Sequence, residues 1–93
     1  MPIEPSRYRG MTEVIYGILK SCEHGGCTRN IAVTENRIRW TVIDTYINYM
    51  VDKGLITSET HPATGSRYFL TKKGQRAVEL LDEVFGLIRS EAF

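Results

Sequence analysis

The chain has 93 residues, two cysteines and a formal net charge of +1, enough for one domain with one modest core and little room for a second functional module. The N-terminal "MPIEPSRYRG" lacks the apolar segment of a secretory signal, and the longest apolar stretch, "VIYGIL", is far too short to cross a bilayer, so an intracellular protein with no membrane partner is expected. Two cysteines are too few for the disulfide framework of a small secreted domain, and in most cytosols they stay reduced, hyperthermophiles being the exception.

Residues 1–10 read as an extended N-terminal arm and 11–93 as the folded domain. Met11, Val14, Ile15, Ile18, Leu19 and Cys22 recur at three- and four-residue intervals, which predicts an amphipathic helix over 11–22, ended by Gly25-Gly26. The following "CEHGGC" offers Cys22, His24 and Cys27 as metal ligands, but the usual two-residue gap between cysteines is absent and only distant His61 could complete a zinc set. A catalytic Cys–His pair would need an orienting group and a cleft, and the sequence indicates neither. The stretch reads instead as a helix C-terminus in which Gly25 or Gly26 takes a positive φ. Cys22 lies on the apolar stripe as a small core residue; either cysteine could also close a short loop or crosslink two subunits.

Thr28 predicts the cap of a second, short helix to about Asn36, carrying Ile31 and Ala32 inward, and "RIRW" leads into a third helix from about Thr41 to Lys53, closed by Gly54. The period then changes. "LITSET" and "RYFL" are short β-branched or aromatic runs separated by the turn residues of "HPATGS", which predicts a β-hairpin. Thr71 caps a final helix through about Ser90, where Ala77, Val78, Leu80, Leu81, Val84, Phe85, Leu87 and Ile88 cover roughly half of the helical wheel. The fold class is mostly α with a small β-hairpin, in the order helix, helix, helix, hairpin, helix.

Projected at 100° per residue, the third helix turns Ile43, Tyr46, Ile47, Met50 and Val51 inward and Thr41, Asp44, Thr45, Asn48, Tyr49 and Asp52 outward. Thr and Asn side chains suit base edges, whereas Asp44 and Asp52 repel phosphate; a solvated helix face would show the same pattern. Trp40 has the chemistry of a stacking residue, yet if the helix reaches back to it the ring falls on the Ile43 and Ile47 side, and core is the favoured reading. Charge is unevenly spread: residues 20–76 carry a net +4 and the tail that follows −3, as suits a protein with one face turned to a polyanion.

The stretches "TVIDTYINYMVDKGLI" and "GSRYFLTKKGQRAVELL", in this order and separation, resemble the winged-helix DNA-binding family, in particular its small archaeal and archaeal-virus members. The resemblance spans residues 11 to about 88. It implies a winged helix-turn-helix whose third helix enters the major groove of double-stranded DNA with the hairpin beside it. On that reading Thr41, Thr45, Asn48 and Tyr49 meet the bases, Arg37, Arg39, Lys72 and Lys73 meet phosphates, and Ser66 and Arg67 belong to the wing, whose arginine commonly enters the minor groove. The resemblance also implies a homodimer joined through the last helix, by Leu80, Leu81, Val84, Phe85, Leu87 and Ile88, and a role in transcriptional regulation without catalysis, cofactor, metal or small-molecule ligand. Two other readings compete: a winged-helix module that binds protein and not DNA, and a thiol-based sensor or metal protein.

Overall fold

Short polar side chains start two of the helices where the sequence places them. In the computed structural model, which describes residues 10–63 and 65–91, the elements are α1 (Met11–Ser21), α2 (Arg29–Asn36), α3 (Trp40–Asp52), β1 (Ile56–His61), β2 (Gly65–Leu70) and α4 (Lys72–Glu91). The order is the expected one; the N-terminal arm lies outside the described residues apart from Gly10. Thr28 Oγ1 accepts from the Ile31 N–H at 3.2 Å, and Thr71 Oγ1 accepts from the Gly74 N–H at 2.9 Å, each satisfying a backbone donor that its helix leaves unpaired. None of these helices is long and apolar enough to cross a membrane.

Helices α2 and α3 end alike. Gly54 has φ +75°, and the N–H groups of Gly54 and Leu55 return to the carbonyls of Val51 and Met50, the Schellman pattern that satisfies the last turn. Arg37 takes the same left-handed conformation after α2, with φ 53°, and the Ile38 N–H returns to Val33. A side chain in this conformation costs about 1–2 kcal/mol relative to glycine. The half-buried Ile38 and Leu55 that follow each cap pack on the core.

The core takes Val14, Ile18 and Leu19 from α1, Ala32 and Val33 from α2, Ile43, Ile47 and Met50 from α3, Ile56 and Tyr68 from the hairpin and Val78 from α4. Strands β1 and β2 pair antiparallel from Ile56 with Leu70 to His61 with Gly65. A second pairing joins the hairpin to the helices: Cys27 and Tyr68 exchange two backbone hydrogen bonds, each 2.8 Å. Both corner glycines, Gly25 and Gly26, have φ +85°, and a Cβ on Gly26 would lie 2.7 Å from the Tyr68 carbonyl oxygen. Cys22 and Cys27, both buried, face each other as an intrachain pair with Cα atoms 4.7 Å apart, within the range a disulfide spans.

Three apolar positions differ from expectation. Trp40, Val51 and Met11 were expected on buried stripes and are 55%, 41% and 48% exposed. Trp40 and Val51 lie only about 20° apart on the wheel, at the edge of the apolar arc, turned from the side that Ile43, Ile47 and Met50 bury. Met11 opens α1, one turn beyond its first buried residue, Val14.

Helix α4 returns along α1. The Tyr16 hydroxyl donates to Asp82, and the Tyr16 ring meets Phe85 edge-on with centroids 4.8 Å apart. Lys20 lies 3.2 Å from Glu23 and 3.6 Å from Asp82; its hydrogen bond to Glu23, with added attraction from Asp82, raises its pKa above the ordinary lysine range despite a partial desolvation. Near its start α4 crosses the α3–β1 turn so closely that a Cβ on Gly74 would run into the Leu55 carbonyl, whereas Gly86 has nothing within 4 Å of such an atom. The same substitution is therefore expected to act with opposite sign in one helix. In urea unfolding, Gly74→Ala should lose about 2–3 kcal/mol through overpacking, while Gly86→Ala should gain up to about 1 kcal/mol from helix propensity.

Candidate nucleic-acid interface

Helix α3 divides into two faces of opposite character. Ile43, Ile47 and Met50 are buried, Tyr46 is half-buried, and Thr41, Asp44, Thr45, Asn48, Tyr49 and Asp52 are exposed. Its polar stripe is therefore open along three turns, and no element of the described chain covers it. A helix of this kind presents short hydrogen-bonding side chains on a rigid support, since rotation or displacement would expose the opposite, apolar face.

Arg29 changes the charge of that stripe. From the first turn of α2 its Nε lies 2.8 Å from Asp44 Oδ1, and its terminal nitrogen donates to the Tyr68 hydroxyl at 3.4 Å. One guanidinium thus touches α2, α3 and β2. Both charged side chains are about half exposed, so the pair adds at most about 1 kcal/mol to stability. Its larger effect is electrostatic, because it offsets the carboxylate that most weakens the stripe as an anion-facing surface. Sequence reasoning missed Arg29, since it is separated from Asp44 by fifteen positions and no helical or strand period relates them.

Cations bracket α3 and do not run along it. At its N-terminal end, exposed Arg37 and Arg39 occupy the turn from α2, Arg39 as the N-cap residue. At its C-terminal end the Lys53 ammonium lies 5.5 Å from the Tyr49 ring centroid, and Lys73 Nζ donates to the Lys53 carbonyl at 2.7 Å. Lys53 was not among the sequence candidates. Lys72 and Lys73, adjacent in sequence and grouped together there, diverge: Lys72 lines a shallow cavity with Glu23, Gly25, Gly26, Phe69 and Gln75, away from the end of α3 that Lys73 serves.

In the hairpin, the Ser66 and Thr60 hydroxyls lie 3.3 Å apart across the strands. Half-buried Arg67 donates from Nε to the Gly25 carbonyl at 3.3 Å. Strand alternation puts Arg67 and Phe69 on the side of the glycine corner, and Tyr68, between them, on the side of Arg29. Arg67 is thus partly committed to the fold through Nε.

The apolar half-cylinder expected for α4 resolves into two stripes. Val78, Leu81 and Phe85 turn toward the chain's own core and α1, Val78 fully buried and the other two half-buried. Leu80, Val84, Leu87 and Ile88 form a separate row, 44%, 48%, 66% and 61% exposed. Leu81 and Phe85 are accordingly occupied within the chain, while the other four of the six interface candidates remain accessible. His24 is exposed beside Glu23, and among the described residues no group of three or more His, Cys, Asp or Glu side chains could hold a metal ion.

The sequence pattern of the winged helix-turn-helix family matches residues 8–89. No curated protein matches the chain. Among solved structures, Sso10a-2, a DNA-binding protein from Sulfolobus solfataricus, is 21% identical, with a TM-score of 0.79 over 90% of this chain and 86% of that one. BpsR of Bordetella bronchiseptica, whose DNA binding is regulated by 6-hydroxynicotinic acid, is 20% identical, with a TM-score of 0.74 over 98% of this chain and 69% of its own. MepR of Staphylococcus aureus, in its complex with DNA, is 16% identical, with a TM-score of 0.69 over 94% and 72%. At such identities these likenesses establish the shared fold. With three helices, a hairpin and a long last helix in this order, and with the family pattern running through almost the whole sequence, the chain belongs to the winged helix-turn-helix family.

Proposed function

We propose that this chain binds double-stranded DNA as a homodimer and regulates transcription by occupying promoter DNA, without chemistry of its own. The observation that carries the reading is the open polar stripe of α3, set between cationic ends and backed by a fully buried apolar face. In this arrangement Thr41, Thr45 and Asn48 meet base edges in the major groove, and Tyr49 lies at the margin. Arg37 and Arg39 at one end, with Lys53 and Lys73 at the other, contact phosphates, which set affinity and register. Ser66 and the terminal nitrogens of Arg67 take the wing position beside the groove, and Lys72 makes a weaker, peripheral contribution. The description of Sso10a-2 as DNA-binding and the MepR complex with DNA support the same use of the fold here.

The exposed row on α4 supports the dimer. Four large side chains at helical spacing, each 44% to 66% exposed, suit an isologous contact with the same row of a second copy. Two α3 helices would then address major-groove segments about one helical turn apart. The Cys22–Cys27 pairing supports an intrachain disulfide that holds the corner beneath the wing, in preference to a crosslink between subunits. The same α4 row also favours the competing reading, a protein-binding module that has given up DNA, and the measurements below separate the two.

Titration of a mixed-sequence duplex, followed by fluorescence anisotropy, is expected to show log affinity falling linearly with log salt. The variant Arg37→Gly/Arg39→Ala should reduce that slope by about two with the far-UV circular dichroism of the native chain, since glycine suits the left-handed position. No anisotropy change even at low salt would remove DNA from the function. A cycle at the α2–α3 ion pair gives a second check. Arg29→Ala should weaken duplex binding in the native chain and have much less effect in the Asp44→Ala background, where no carboxylate is left to offset; equal losses in the two backgrounds would show that the pair does not tune the stripe. Sedimentation equilibrium should return a dimer for the native chain and a monomer for Val84→Glu/Leu87→Glu with unchanged far-UV circular dichroism.

A further inference from the structure

Trp40 is the largest apolar side chain in the α2–α3 turn region, and it is 55% exposed. It is the first residue of α3, directly after the N-cap Arg39 and three residues after Arg37. Side chains in a helix lean back toward its N-terminus, here toward the turn that carries Arg37 and Arg39, and the wheel sets Trp40 at the edge of the polar stripe and not at its centre. On the wheel it shares the α3 edge with Asp44, the carboxylate that Arg29 offsets. The acids closest to it in sequence are Asp44, which is paired with Arg29, and exposed Glu35 near the end of α2, against the cations Arg37 and Arg39 of the turn.

Leaving such a ring in water forfeits a large burial free energy, and its neighbours identify what could cover it. An indole has one N–H donor and no acceptor, so a covering partner must bring a hydrogen-bond acceptor for the edge and an apolar surface for the face. Cations at both sides require that partner to be anionic. The sugar-phosphate strand meets all three conditions: phosphate oxygens accept, deoxyribose is apolar, and the charge is complementary. A second copy of the chain fits less well, since the exposed row of α4 belongs to a helix packed on α1 and β2, not to the α2–α3 turn.

Resting on the DNA-binding reading above, we infer that Trp40 is a direct contact to the duplex, its ring laid on the deoxyribose at the edge of the major groove and its indole N–H donating to a phosphate oxygen. In this role it fixes how deeply the N-terminal end of α3 enters the groove. It recognises the backbone and not the sequence, so its contribution is the same on any duplex.

Trp40 is the only tryptophan in the chain, which makes the test direct. The full-length protein is titrated at low salt with a dye-labelled mixed-sequence duplex, with anisotropy reporting binding and tryptophan emission reporting the indole. Emission should change in step with anisotropy, and acrylamide quenching of Trp40 should fall at least about two-fold at saturation, as for a ring that loses solvent access. Trp40→Ala should weaken binding about ten-fold and Trp40→Phe less, the size expected of one aromatic contact, both with the far-UV circular dichroism of the native chain. A full anisotropy change with unaltered emission and quenching, or Trp40→Ala binding as tightly as the native chain, overturns the inference and leaves DNA binding intact. An emission change that follows protein concentration without DNA places Trp40 in a protein contact and overturns it too. Absence of any anisotropy change removes both readings together.

Discussion

Two backbone hydrogen bonds between Cys27 and Tyr68 hold the hairpin to the helices, and much of the remaining geometry follows from them. A two-stranded hairpin is marginal alone in water; here β2 gains a second pairing from the corner after α1. That approach is possible because position 26 has no side chain and takes a positive φ, so the corner can press against Phe69 and the Tyr68 carbonyl. With the backbone of Tyr68 fixed, its ring enters the core and its hydroxyl reaches Arg29, whose guanidinium in turn meets Asp44 on α3. The position of the wing and the charge of the exposed α3 face are in this way linked through one strand residue. The Cys22–Cys27 pairing braces the same corner from below.

Helices α3 and α4 solve the two-face problem differently. In α3 one face is buried to near zero exposure and the other consists mainly of short polar groups, with Tyr49 among them and Trp40 and Val51 at the edge, so its outer face is free for a ligand. In α4 both the inward stripe and the outward row are apolar, and the first is the one that packs within the chain, Val78 and Ala77 against the core and Phe85 against Tyr16. An amphipathic helix needs one apolar stripe to dock on its own domain; the second row of α4 is surplus to that need and underlies the proposed assembly. The two surfaces lie on different elements, so DNA contact and self-association make no competing demands on one set of residues.

Local rules account well for where elements begin and end. Thr28 and Thr71 cap as expected, and Gly54 closes α3 by the route its residue type favours. Departures occur where a helical wheel has no knowledge of its neighbours. Trp40, Met11 and Val51 have the spacing of core residues, yet sit beyond the reach of the helices that would cover them. Lys72 and Lys73 are alike in sequence, but one lysine turns to the Lys53 carbonyl and the other to the cavity beside the glycine corner. Arg67 has the composition of a free wing cation and lends its Nε to Gly25 instead.

From the sequence by itself came the element order, the caps, the polar stripe of α3 and the family resemblance, because these depend on periodicity and on backbone preferences that act within a few residues. Tertiary structure alone decided the pairing of Arg29 with Asp44, the division of the α4 apolar arc into an occupied stripe and an open row, and the exposure of Trp40. Each of these is set by which surfaces the chain brings together across ten or more positions. A one-dimensional pattern can show that a side chain is apolar or charged, but burial and pairing are properties of two surfaces, and the second surface is supplied only by the fold.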